Sequence, residues 1–278
     1  MKESLKMYKS APLPFQGQKR RWIKEFVKLL ENCPEDGVYV DLFGGSGLLS
    51  HIAKRVRPDA KIVYNDFDDY HIRLENIERT NKLLAELRVA LKDYKKDTKI
   101  TGETYTEVIN ILTTAHKKGF VDWITISSSL CFAMSYFTMF EQLSKQTLYN
   151  RVVSSAYCAD GYIEGLEIVK KSYKELFDEY NNQSKVVFFI DPPYLSTDVS
   201  TYSCGEYWKL KDYLDILQIV KGKKYIYFTS EKSSIVELCE WLEANKELGN
   251  PFSGALKKEL NTNPTGKTAF KDIMLYKV

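Results

Sequence analysis

Residues 191–194, Asp-Pro-Pro-Tyr, follow directly on an apolar run, Val186-Val187-Phe188-Phe189-Ile190. Neither proline can donate to a strand ladder, so the chain must leave a sheet there. Pro192 and Pro193 stiffen the turn and hold its carbonyls outward without competing N–H groups. The Asp191 carboxylate and the Pro192 carbonyl can then accept both hydrogens of an exocyclic amino group. Tyr194 offers a face on which a planar base can stack, worth ~1–3 kcal/mol. Two acceptors and a stacking face suit an adenine amino group held for attack on an electrophile. The plainer alternative is a strand terminator with a capping Asp191 and a core Tyr194.

A second constellation lies upstream, in Asp41-Leu42-Phe43-Gly44-Gly45-Ser46-Gly47. Glycines between a strand and a helix let backbone approach a ligand closely. The helix N-terminus adds free N–H groups and a positive dipole. Asp66 follows the next apolar run, where an acid can accept hydrogen bonds from both hydroxyls of a ribose. The third glycine of a dinucleotide fingerprint is replaced by Ser50, and Asp41 would repel a pyrophosphate. Asp41 suits an amino group or a cationic centre instead. The alternative is a tight turn with an exposed Asp. "PTGKT" (264–268) lacks the first glycine of a P-loop, since residue 261 is Asn.

Carrying these groups requires strands that end where the groups begin. Residues 37–43, 60–66, 186–190 and 224–229 read as buried strands, and 272–278 as a final one. Helical patterns fill 18–30, 48–56, 70–95, 103–118, 163–180, 209–220 and 231–244. Strand–helix alternation at both ends predicts an α/β fold, a doubly wound, mostly parallel sheet covered on both faces. The middle, 97–165, is mostly helical and breaks the alternation, so it reads as an insertion.

The 278 residues suffice for one large domain with such an insertion. Forty Lys+Arg against 37 Asp+Glu neither require nor exclude nucleic acid. Eight of the basic residues fall in 1–31, against three Glu there. Five scattered cysteines, without a CxxC pair, and three histidines argue against a disulfide framework or a metal site. A reducing cytoplasm is the expected compartment. The opening "MKESLKMYKS" lacks the apolar core of a signal peptide. The charge-free stretch 123–140 is short for a span and rich in Ser and Thr, so a helix buried in protein is expected, and no membrane.

Taken together, "PFQGQK" (14–19), "DLFGGSG" (41–47), "ND" (65–66) and "DPPY" (191–194) resemble the amino-group DNA methyltransferases that use S-adenosylmethionine, of the DNA adenine methyltransferase (Dam) type. The order of the motifs is also that family's. The resemblance covers about 14–80 and 163–230, plus a last strand. It implies a seven-stranded class I methyltransferase sheet with a reversed last hairpin. By position, Phe15, Gly17 and Lys19 would close on the cofactor's methionine end. Asp41, Phe43, Gly45 and Gly47 would line the same site, and Asp66 would hold the ribose. Ser172 and Tyr173 would flank the cofactor adenine, and Asp191, Pro192, Pro193 and Tyr194 would hold the target base.

The implied activity is transfer of a methyl group to adenine N6 in double-stranded DNA, with the base flipped out of the duplex. The implied layout is a catalytic domain in two parts, 1–96 and 166–278, around a target-recognition region at 97–165. No metal is called for, and a monomer is expected. Polar residues of the loop 195–208 are candidates to close over the base. Arg20, Arg21 and Lys24 are candidates for phosphate contacts. Transfer to cytosine N4, to RNA adenine or to a protein glutamine uses similar chemistry. A catalytically inactive DNA-binding relative is the rival from another class. A restriction endonuclease partner, phage self-protection and epigenetic marking stay open.

Overall fold

The computed structural model describes residues 6–132, 136–194, 208–245, 249–262 and 270–278. The loop 195–207 and "PTGKT" lie outside these residues. Among the described residues, seven strands form one sheet: β1 (Val38–Asp41), β2 (Lys61–Asn65), β3 (Glu167–Val169), β4 (Val186–Ile190), β5 (Tyr225–Ser230), β6 (Leu256–Thr262) and β7 (Phe270–Lys277). Their order is β3-β2-β1-β4-β5-β7-β6. The first five pair in parallel, and β7 runs antiparallel to both β5 and β6. β1 lies between β2 and β4, with Val40 opposite Val63 and Phe188. The strand order reverses there, and at such a switch point the loops leaving the carboxyl ends open a crevice for ligands.

The helices are α1 (Ile23–Leu30), α2 (Leu48–Val56), α3 (Tyr70–Glu75), α4 (Ile77–Ala90), α5 (Gly102–Lys117), α6 (Trp123–Leu130), α7 (Phe140–Leu143), α8 (Tyr173–Tyr180), α9 (Leu210–Val220) and α10 (Ser234–Ala244). β4 is buried along its whole length because both sheet faces are covered. Val186, Phe188 and Ile190 pack with Leu176 of α8, Ile216 of α9 and Ile235 of α10. Val187 and Phe189 point the other way, toward Phe26 of α1 and Ile52 of α2. Side chains alternate across a strand, so one run of five apolar residues feeds two cores.

The chain divides into two compact units. The first is Met1–Lys9, Lys19–Asp68 and Ile163–Val278, and it holds the sheet. The second is Ser10–Gln18 and Asp69–Tyr162, with a core of its own. There Leu84 and Leu87 of α4 meet Val108 and Leu112 of α5 and Ile126 and Leu130 of α6. These boundaries give residues 69–96 and 10–18 to the helical unit, beyond the 97–165 suggested by pattern. The reason is visible in the packing, since the apolar stripe of α4 is completed by α5 and α6 rather than by the sheet.

Three local expectations need correction. The helix foreseen over 163–180 is a strand followed by a helix. Gly161 and Gly165 take positive φ of 66° and 79°, which stops any helix from starting there. Ile168 and Val169 then pair with β2, and Ser172 opens α8 as its N-cap. The helix foreseen over 18–30 begins with a 3-10 turn, Arg20–Trp22, before α1. The helix foreseen over 70–95 breaks at Asn76 and ends at Ala90. Among the described residues no helix is long and apolar enough to cross a membrane.

Candidate active site

The loop after β1 is shaped by what lies beneath it. Tyr64 of β2 is fully buried, and its hydroxyl donates to the Gly45 carbonyl at 2.7 Å. A Cβ on Gly44 would overlap the Tyr64 ring, so the first glycine is required by packing. Gly45 and Gly47 have φ of 50° and 72°, the region in which glycine carries no steric penalty. Gly47 is the N-cap of α2 and leads the chain directly into it.

Asp41 ends β1 and is 1% exposed. Its Oδ2 accepts from the Ser50 hydroxyl of α2 at 2.8 Å. Its Oδ1 is buried without a hydrogen-bond partner among the described residues. Burial, with smaller repulsion from Asp191, pushes this carboxyl up to about 7, against the pull of the Ser50 hydrogen bond. A buried acceptor left unmatched is unusual in folded proteins and suits a donor supplied by a ligand.

The next strand ends in two side chains with separate tasks. Asn65 ties the strand ends together, donating to the carbonyls of Leu42 at 3.0 Å and Lys171 at 2.9 Å and accepting from the Lys171 N–H. Asp66 is fully buried, and its N–H donates to the Val169 carbonyl of β3. Ser172 caps α8 by accepting from the Glu175 N–H, and Glu175 accepts from the Ser172 N–H in return. Tyr173 stacks on Trp208 with ring centroids 5.4 Å apart and lies 5.3 Å from the Phe43 ring. Trp208 lies in no motif, and its only signal in the sequence is an aromatic closing a polar loop that already holds Tyr202 and Tyr207.

Beyond β4, Asp191 meets Lys19. Their charged atoms are 2.5 Å apart, with side chains 17% and 10% exposed. Burial raises the Asp191 carboxyl above its ordinary value, and Lys19 pulls it back. The Lys19 ammonium also lies 5.4 Å from the centroid of the Tyr194 ring. Pro192 is buried, while Pro193 and Tyr194 are partly exposed. Tyr227 of β5 is buried nearby, its hydroxyl pushed well up by burial with smaller effects from Tyr194 and Asp191. Alternation along β5 alone presents Tyr227 as core.

Lys19, Asp41, Phe43, Gly45, Gly47, Asp66, Ser172, Tyr173, Asp191, Pro192, Pro193 and Tyr194 therefore all belong to the first unit. Phe15 and Gly17 belong to the second, where the Phe15 ring stands edge-on to Tyr70 at 5.7 Å. Among the basic candidates, Arg21 is committed to the C-terminal hairpin, donating to Thr262 Oγ1 at 2.5 Å and to the Asn261 carbonyl. Arg20 and Lys24 are exposed.

A parallel sheet with one reversed last hairpin, and motif residues placed at the ends of β1, β2 and β4, define a class I methyltransferase. The D12 class N6 adenine-specific DNA methyltransferase family matches residues 15–215, and the chain belongs to that family. A Haemophilus influenzae protein named "Putative methyltransferase" is 34% identical over 280 residues, spanning 98% of this chain and 93% of its own. Two solved structures are also among its matches. A precorrin-6y C5,15-methyltransferase from Geobacter metallireducens GS-15 has 12% identity and a TM-score of 0.39, covering 96% of this chain and 94% of its own. An rRNA methylase from Streptococcus thermophilus has 11% identity and a TM-score of 0.35, covering 92% and 95%. At these scores neither bears on the activity.

Proposed function

We propose that the protein transfers a methyl group from S-adenosylmethionine to the N6 amino group of adenine in double-stranded DNA. The observation that carries this reading is the half-buried Asp191 carboxylate, paired with Lys19 beside the Tyr194 ring at the end of β4. An acceptor, an aromatic face and a cation together suit an amino-substituted planar base.

The residues present fit the cofactor. The unmatched Oδ1 of Asp41 is an acceptor for an ammonium group, and the buried Asp66 carboxylate is one for ribose hydroxyls. Phe43 and Tyr173 supply flat apolar surface for a purine. When bound, S-adenosylmethionine supplies a methyl group on a cationic sulfur.

An adenine amino group is hidden inside a duplex, so the base must be turned out to be reached. Asp191 and the Pro192 carbonyl accept the two amino hydrogens, and Tyr194 stacks on the ring. These contacts fix the direction of the nitrogen lone pair, and positioning supplies much of the catalysis. As positive charge develops on nitrogen, the Asp191 carboxylate stabilises it. Lys19 holds that carboxylate ionised until the amino group arrives.

Choice of target is assigned to the helical unit, chiefly within 97–165. Of six polar candidates there, Lys117, Lys118 and Lys145 are exposed, while Gln142, Asn150 and Arg151 are half-buried and already serve the unit itself. Arg151 donates to Asp97 and to the Cys131 carbonyl, and Asn150 to the Tyr94 carbonyl. Lys117, Lys118 and Lys145 thus become the better candidates for DNA contact. The cytoplasm suits the reduced thiols of Cys33, Cys131 and Cys239. The test is incubation with S-adenosylmethionine and either duplex DNA or RNA, followed by nucleoside mass spectrometry. N6-methyladenine in DNA supports the reading; N4-methylcytosine, or a product only in RNA, replaces it.

A further inference from the structure

β2 ends in Asn65, which is 1% exposed and whose amide reaches the segments leaving both neighbouring strands. Nδ2 donates to the Leu42 carbonyl, just past β1, at 3.0 Å and to the Lys171 carbonyl, past β3, at 2.9 Å. Oδ1 accepts from the Lys171 N–H at 3.0 Å. Both donor hydrogens and the acceptor are thus in use. The ladder between β2 and β3, whose last backbone rung is the Asp66 N–H on the Val169 carbonyl, gains one more rung from a side chain.

An aromatic follows each segment that Asn65 holds. Phe43 comes directly after Leu42, and Tyr173 two residues after Lys171. Their rings lie 5.3 Å apart, and Trp208 stacks on Tyr173 at 5.4 Å and meets Phe43 at 5.5 Å. All three rings are half-buried, while Tyr213 of α9 braces Trp208 from the core at 5.2 Å. Every residue of this cluster belongs to the unit that holds the sheet.

We propose that Asn65 is a positioning residue for the methyl donor. It holds the segments of Phe43 and Tyr173 so that their rings, with Trp208, present one face to the purine. This rests on the reading of Phe43 and Tyr173 as the surface for that purine. Apolar contact between rings is non-directional and leaves the two segments free to slide. Three hydrogen bonds from one buried amide set their register. Asparagine suits the place because it offers two donors and an acceptor at a single length. Aspartate would turn acceptors toward two carbonyls, and leucine would leave three backbone groups without their partner.

Asn65→Asp keeps the shape and the acceptor and removes both donors. Titration calorimetry is expected to show roughly tenfold weaker binding of S-adenosylmethionine in this variant. Adenosine, which has only the nucleoside end, should lose the same factor as a competitor. KM for the donor should rise alike, with kcat changed less than about twofold. Asn65→Ser, which keeps one donor, should fall between Asn65→Asp and wild type. Tyr173→Ala tests the underlying reading. In that background Asn65→Asp should cost less than about twofold more, because the face it positions is already gone. Normal donor affinity in both folded Asn65 variants, with weakened affinity in Tyr173→Ala, overturns the inference and leaves the reading intact. Normal affinity in all three overturns both. A loss for S-adenosylmethionine without one for adenosine, or fully additive losses in the double variant, overturns the inference as well. So does a loss seen only as fewer binding sites per chain at unchanged affinity, which is what misfolding alone produces.

Discussion

Lys19 and Asp191 stand far apart in the chain and meet as an ion pair 2.5 Å long, neither side chain more than 17% exposed. One comes from the N-terminal motif and the other from the turn after β4. Resemblance assigns Lys19 to the cofactor's methionine end; the geometry pairs it as well with Asp191, the proposed acceptor of the target amino group. A buried carboxylate with its cation removed becomes harder to ionise. Lys19→Met should therefore move the acid limb of the kcat pH profile upward and lower transfer at neutral pH by roughly 10–100-fold. A profile with an unmoved acid limb would show that Asp191 keeps its charge without help.

Asp41 makes stability depend on pH in a definite direction. Its carboxyl titrates near 7 in the folded chain, against an ordinary ~4 in the unfolded one. Between those values the folded chain keeps a proton that the unfolded chain has lost, so stability falls as pH rises from about 4 to 7. The full effect is up to ~4 kcal/mol. Asp41→Asn should flatten that slope in urea unfolding measured across the range. If a donor ammonium binds the ionised carboxylate, wild-type affinity for S-adenosylmethionine should also rise through pH 7. A slope identical in variant and wild type would contradict the first point, and an affinity flat across about pH 6–8 the second.

Asp66→Ala should weaken binding of S-adenosylmethionine. Hydrogen bonds to a charged acceptor contribute ~1.5–3 kcal/mol each, so a loss of at least tenfold in affinity is expected. Calorimetry decides this, and unchanged affinity would take Asp66 out of the site.

The glycine loop offers a purely structural check. Gly44→Ala must push its methyl into the Tyr64 ring and should cost ~1–3 kcal/mol. In a Tyr64→Leu background the ring clash is gone and only the 2.8 Å approach to the Asn65 carbonyl remains, so the same change should cost less. A double-mutant cycle on urea unfolding measures the coupling. Additive costs would mean that the two positions do not meet.

Much of this was legible in the sequence where local chemistry and tertiary demand agree. The run 186–190 is apolar on both faces because β4 is covered on both, and the prolines end it where the sheet ends. β3 and β6 were missed for the opposite reason. β3 is three residues at an edge, hidden behind two positive-φ glycines, and β6 is an edge strand that reads as polar, Leu-Lys-Lys-Glu-Leu-Asn-Thr. Asp41 was recognised as unsuited to a pyrophosphate, but its unmatched oxygen depends on Ser50 and on burial, which no spacing reveals. The Lys19–Asp191 pair was invisible because it joins two motifs, each of which was read alone.

The most direct measurement is methyl transfer from labelled S-adenosylmethionine to duplex DNA by wild type and by Asp191→Ala, with the product identified by nucleoside mass spectrometry. Asp191 lies past the end of β4, so its loss opens no cavity in the core. Wild type should form N6-methyladenine, and the folded variant should be slower by roughly 10²–10³, the cost of losing an acceptor aimed at developing charge. A folded Asp191→Ala protein that methylates adenine at near wild-type rate would contradict the proposed role of this carboxylate.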